Sequence, residues 1–366
     1  MKTNSKRGLV LRLNRFGMES RSVGLFLILG LGASVGVHAQ QQFTEWVETP
    51  DEILLATEVW LPDGDGPFPT VLIRTLYGRL NEDTDLYTGN GYATVVQDIR
   101  GAGESEGEFG GYFGDRADGH ATIEWIAEQA WSDGKVGMVG DSALGEVQYA
   151  VAQGAPPALK CLRPGIASPD LYHHWYFQGG ALRYHEVYHT LRILGMLHFF
   201  EEIKQHRLWH AEWEALDWLS APETIRVPML HIGRWFDVYQ QGALDAFSVI
   251  QHQGGAGAAG SQYLVMDPLT HYGSSGQVRY PNLDPNLSER LTLDWLAYWL
   301  KDEPTGVDRW PSVRVYLMGA PGKTDARGNR WVEMPDWPPD AEIHSLHLTQ
   351  EGGLVDEIPP PGRLVL

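Results

Sequence analysis

The stretch KVGMVGDSALG, residues 135–145, decides how this chain is to be read. Its first half is apolar on successive rather than alternate positions, the pattern of a strand buried on both faces of a sheet. It runs straight into Asp141, Ser142 and Ala143, and ALGEVQYAVAQ (143–153) then takes up helical spacing. Gly140 and Gly145 bracket the turn, and a sharp strand-to-helix turn needs such small residues if a serine hydroxyl is to stand clear of the sheet. The form is G-x-S-x-x-G, a nucleophile elbow. At such an elbow the helix dipole and the amide of the next residue, here Ala143, point at the place where an acyl oxyanion would form. Alone the motif is weak, because Gly and Ser at strand ends are ordinary turn formers.

Working outward, TVLIR (70–74), YATVVQD (92–98), LKCLRPGIA (159–167), VPMLHIG (227–233) and QYLVMD (262–267) read as further buried strands. DGHATIEWIAEQA, GALDAFSVIQH and LSERLTLDWLAYWL have helical spacing. Strand and helix in alternation imply an α/β fold with a mostly parallel central sheet and helices on both faces. Residues 171–221 break the alternation: they carry no strand signal, hold seven of the 14 histidines and are rich in Trp, Tyr and Phe. They read as a helical insertion, with Trp175 and Tyr176 as candidate pocket residues. After Trp310, SVRVYLMG and IHSLHLTQ look like antiparallel β structure, and a stretch this short must dock on the main domain.

On this architecture a serine nucleophile needs an acid and then a histidine, in that chain order, each at the end of a later strand. VPMLHIG ends in Arg234, Trp235, Phe236 and Asp237; QYLVMD ends in Pro268, Leu269, Thr270 and His271. His271 would take the Ser142 proton as general base, with Asp237 fixing its tautomer and stabilising the imidazolium. The loop after TVLIR, where a second oxyanion donor is expected, holds Tyr77, whose phenol can do this work. Trp235 and Phe236, beside Asp237, join the candidate pocket residues.

The 366 residues, 43% hydrophobic and 20% charged, suit a folded globular protein with an ample core. A formal charge of −19 and no basic patch argue against nucleic acid as a partner. Six of the 28 basic residues lie in the first 24 positions, followed by the apolar run VGLFLILGLGASVGV (23–37), with Val37 and Ala39 spaced as before a cleavage site. This is a secretory signal layout over residues 1–39; the run is short of the roughly 20 residues needed to span a bilayer. The expectation is an exported, periplasmic or secreted protein, more acidic still after cleavage. Cys161 is the only cysteine, so no internal disulfide can form.

The motifs RTLYGR, GYATVVQDIRGAGESEGEF, TIEWIAEQAWSDGKVGMVGDSALG, VPMLHIGRWFD and VMDPLTHYG together resemble the cocaine-esterase and X-prolyl-dipeptidyl-peptidase-like family of α/β-hydrolases. The resemblance implies an α/β-hydrolase domain over residues 40–311, with 171–221 as a helical cap over the acyl pocket. It also implies Ser142, Asp237 and His271 as a triad, Tyr77 and the Ala143 amide as an oxyanion hole, and no cofactor. Three departures stand out. Ala143 replaces the Tyr common after the nucleophile; Val238, Tyr239 and Gln240 follow Asp237 where related α-amino-acid ester hydrolases carry acids; and the C-terminal jelly-roll-like part, 312–366, is far shorter than usual.

Two rival signals remain. His185, Glu186, Val187, Tyr188 and His189 spell H-E-x-x-H, a zinc-peptidase signature when on a helix, although no third ligand stands out among His198, Glu201, Glu202 and His206. Gly101, Gly103 and Gly107 miss dinucleotide spacing by one residue and open no helix, so Asp98 and Arg100 beside them read as structural. The expected function is hydrolysis of carboxylic esters, or amides, of small molecules through an acyl-enzyme on Ser142. The alternatives are an X-prolyl exopeptidase, a zinc peptidase, or a non-catalytic binding protein on a hydrolase scaffold. Oligomeric state is open.

Overall fold

The structure is a computed structural model and describes residues 41–274, 276–349 and 352–358. The expected signal segment, 1–39, lies outside the described residues.

In chain order the strands are β1 (Gln41–Glu48), β2 (Leu54–Leu61), β3 (Phe68–Thr75), β4 (Ala93–Asp98), β5 (Ser132–Asp141), β6 (Leu159–Gly165), β7 (Met229–Phe236), β8 (Gln262–Thr270), β9 (Val313–Leu317) and β10 (Arg330–Met334). These ten form one sheet in the order β1-β2-β4-β3-β5-β6-β7-β8-β9-β10. The pairs from β4 through β9 are all parallel, and antiparallel strands close both edges. All six strands read from the apolar runs are present. Their continuous apolar character follows from coverage on both faces: Val71, Leu72, Val95, Val96, Val136, Met138, Leu162, Met229 and Leu230 are fully buried.

The helices are α1 (Asp85–Thr88), α2 (Asp115–Ala127), α3 (Ala143–Ala152), α4 (Tyr184–Ile193), α5 (Leu197–Gln205), α6 (Ala211–Glu214), α7 (Gln240–Gln253) and α8 (Leu287–Lys301). Between β6 and β7 the chain forms α4, α5, α6 and short helical turns, with no strand among the described residues.

Two features differ from the sequence reading. The first is at the C-terminal end, where the sequence reading makes 312–366 a short jelly-roll-like region docked on the main domain. Instead β9 pairs in parallel with β8, and β10 pairs with β9, so the main sheet runs past residue 311. Val313 and Val315 are buried with Ala243, Phe247, Leu264 and Met266, and this burial draws the segment into the central sheet. Beyond it lies a small hairpin, β11 (His347–Leu348) with β12 (Leu354–Val355). The second difference is the β1–β2 hairpin at the other edge, whose alternation the strongest apolar runs overshadowed.

Candidate active site

The elbow is built as its glycines require. Ser142 sits at φ 60°, ψ −128°, a strained conformation for a residue with a Cβ. A Cβ on Gly140 would lie 2.4 Å from that of Leu144, and one on Gly145 2.6 Å from that of Ala167. Both positions therefore admit only glycine. The Ser142 amide donates to the Gly165 carbonyl of β6 at 2.8 Å, and the Ser142 carbonyl accepts from the Gly145 and Glu146 amides as α3 begins. Asp141, just before the serine, is gripped by Arg163 of β6, which also reaches the Ser288 hydroxyl at 2.6 Å. Burial works against the Asp141 anion, but Arg163 holds its carboxyl below the ordinary range.

The three residues separated in sequence meet at the C-terminal edge of the sheet. His271 Nε2 lies 3.0 Å from Ser142 Oγ, and His271 Nδ1 lies 2.7 Å from Asp237 Oδ2. The other oxygen of Asp237 accepts the Tyr239 amide at 2.7 Å. The Asp237 side chain is 1% exposed and that of His271 23%. An imidazole held between a buried carboxylate and a hydroxyl can accept the hydroxyl proton while the carboxylate stabilises the resulting cation.

Arg234, which sequence reasoning passed over, ties the two supporting loops together. It stands three residues before Asp237 and donates to the carbonyls of His271 at 2.7 Å and Thr270 at 3.2 Å, with Asp267 of β8 3.4 Å away as counter-ion. Its signal was a lone cation at the end of an apolar strand. Glu146, four residues after Ser142, was also missed: it is 3% exposed. Burial pushes its carboxyl up to about 7, against hydrogen bonding from Tyr239 and Tyr112.

Tyr77 lies within hydrogen-bonding reach of the Ser142 hydroxyl and the Ala143 backbone. Although 43% of the residue is exposed, its hydroxyl end is desolvated, and this burial raises the phenol above its ordinary value. It therefore stays a protonated donor. A cleft of about 660 Å³ opens over Ser142 and His271, lined also by Tyr77, Glu82, Asp83, Tyr87, Asp141, Arg163, Tyr272 and Glu289.

The four aromatic residues expected to line the pocket do not border this cleft. Trp175 packs on Tyr239, which in turn contacts His271. Tyr176 is 2% exposed among Phe199 and Trp213. Phe236 stacks on Tyr280. For Trp235 the pocket assignment is corrected: its indole donates to the Tyr316 carbonyl at 2.9 Å and packs on Trp337, because strand alternation turns it away from its neighbour Phe236. Asp98 and Arg100 are structural, as expected. Asp98 holds the Arg79 guanidinium and amide, and Arg100 pairs with Asp51 and Asp118.

His185 and His189 face each other on α4 with ring centres 4.3 Å apart, but Glu186 sits toward Arg183. Among the described residues the His and Glu donors that converge are those of His206, His210 and Glu212 instead.

The fold is that of the α/β-hydrolases. Residues 51–198 match the model of the X-Pro dipeptidyl-peptidase (S15) family. The chain is 26% identical to the cocaine esterase of a Rhodococcus species over 82% of its own length and 61% of that protein's. A CocE/NonD family hydrolase from Staphylococcus aureus superposes with a TM-score of 0.75 at 22% identity, over 87% of this chain and 60% of that one. An aminopeptidase from a marine-sediment thaumarchaeon gives 0.68 at 21% identity, over 87% and 63%. The chain thus spans about three-fifths of the length of these relatives. It is similar to the cocaine-esterase and X-prolyl-dipeptidyl-peptidase-like hydrolases, as its motifs suggested. No described helix is long and apolar enough to cross a membrane.

Proposed function

We propose that this protein is a serine hydrolase that cleaves carboxylic esters of small molecules through an acyl-enzyme on Ser142. The observation that carries this reading is the hydrogen-bonded series Asp237–His271–Ser142 at 2.7 and 3.0 Å. As Ser142 Oγ attacks the ester carbonyl, His271 Nε2 takes its proton and then gives it to the departing alkoxide, releasing the alcohol. Water repeats the sequence on the acyl-enzyme, and the serine leaves with the proton returned. The Ala143 amide and the Tyr77 hydroxyl are the donors available to the oxyanion, and Asp237 keeps the imidazole in the tautomer that presents Nε2 to the serine.

A second reading, an X-prolyl exopeptidase, is favoured by the family model that residues 51–198 match. It requires activity that depends on a free amine in the substrate. The basic and then apolar layout of residues 1–39 supports export; cell fractionation followed by N-terminal sequencing should place a protein beginning at Gln40 outside the cytoplasm.

The test is hydrolysis of short-chain p-nitrophenyl esters and of an X-prolyl p-nitroanilide, beside Ser142→Ala and a chelator-treated sample. Ester cleavage lost in the mutant and kept after chelation is the expected result. Cleavage confined to the free-amine anilide would favour the peptidase, and cleavage indifferent to Ser142→Ala would sink both.

A further inference from the structure

The helical insertion carries a second cluster of titratable side chains, which the proposed chemistry does not use. α5 ends at Gln205, and His210 caps the start of α6. Around that turn His206, His210 and Glu212 each bring a donor atom within 4.8 Å of the other two. His206 Nε2 and His210 Nδ1 both lie 3.8 Å from Glu212 Oε2. Ligands held by a tetrahedral zinc ion at 2.0–2.1 Å stand about 3.3 Å from one another, so both spacings are about half an ångström from closing.

The surrounding structure holds these groups in place. The Trp213 indole donates to the His206 carbonyl at 2.7 Å, and the Tyr172 hydroxyl donates to the Arg207 carbonyl at 2.7 Å. His210 Nδ1 accepts the Glu212 amide at 3.2 Å, so the lone pair is on this nitrogen, and a metal held there takes the place of that hydrogen bond. Buried His210 Nε2 has no hydrogen-bond partner among the described residues. The nearby cations are engaged elsewhere: Lys204 pairs with Glu201, and Arg207 donates to the Lys204 carbonyl. The cluster borders a cavity of about 210 Å³, walled by Phe199, Ile203 and Trp213, with Glu202 adding negative charge.

We propose that His206, His210 and Glu212 bind a divalent transition-metal ion, zinc by preference, which clips α5 to α6. Two imidazoles and a carboxylate are donors for zinc, cobalt or nickel rather than for magnesium or calcium, which take oxygen. Three protein ligands leave the fourth position to water. The pair His185 and His189, singled out by sequence, has no such third donor converging on it among the described residues.

The experiment is calorimetric titration of the metal-stripped, full-length protein with zinc chloride, with cobalt(II) absorption as a reading of coordination. One zinc per chain is expected, bound at least tenfold more weakly by His206→Ala and Glu212→Gln but retained by a His185→Ala/His189→Ala double variant. Zinc should also raise the unfolding temperature of the parent and leave that of Glu212→Gln unmoved. Glu212→Gln keeps size and shape, and near-UV circular dichroism verifies that it is folded. No stoichiometric binding, binding indifferent to His206→Ala and Glu212→Gln, or binding that follows His185 and His189 would each overturn the site.

Discussion

Arg234 and Glu146 show how single side chains set the working state of the site. Arg234 holds the carbonyls of Thr270 and His271 and so fixes where the imidazole stands. Replacing it with Met leaves the triad atoms present but loosens the loop, and kcat should fall about tenfold, as misplacement of a catalytic group by a fraction of an ångström does. KM should change less, and steady-state kinetics separates the two. Glu146 bears on stability against pH. Its carboxyl titrates at about 7 in the folded chain and near 4.5 when exposed, so between these values the folded state keeps a proton that the unfolded state has lost. Its contribution is present in full below about 4.5 and is lost as pH rises through 7. Glu146→Gln should therefore gain unfolding temperature over the parent at pH 8 relative to pH 5; equal differences at both pH values would contradict this.

Among the elements, β3 and α2 are joined by a pair that no periodicity announces. Arg74 of β3 is fully buried, donating to Gln97 of β4 at 2.9 Å and to Asp115 at the start of α2 at 2.6 Å. Removing one partner strands a charge in the interior, so Asp115→Ala should cost about 3–5 kcal/mol in denaturant unfolding. The strands themselves were legible, because burial on both faces writes an unbroken apolar run such as TVLIR. Ser142, Asp237 and His271 were legible for a related reason, each standing where such a run ends. Arg234 and Glu146 were not, since their roles depend on what lies opposite them after folding. The candidate pocket failed at Trp235 for the same reason: adjacency to Asp237 in sequence placed it on the other side of the strand.

At the scale of the molecule, the sheet continues into β9 and β10, and this differs most from the sequence reading. VRVYL is too short and too mixed to declare its partner, whereas Val313 and Val315 find theirs in α7 and β8. A chain ended after Trp310 would bare the β8 edge and the apolar surface beneath it, and should be recovered as aggregate rather than as soluble enzyme. Soluble, active protein from that truncation would show the boundary at 311 to be real after all. The whole arrangement serves to bring Ser142 under His271 at the edge of the sheet. The most direct test of that claim is acid quenching of the protein during turnover of p-nitrophenyl acetate, followed by peptide mass spectrometry. The account expects one acetyl group on the peptide containing Ser142, absent in Ser142→Ala and accumulating when His271 is replaced only if attack survives. Turnover with no acylated Ser142 peptide in the parent, or an acyl group on another residue, would contradict it.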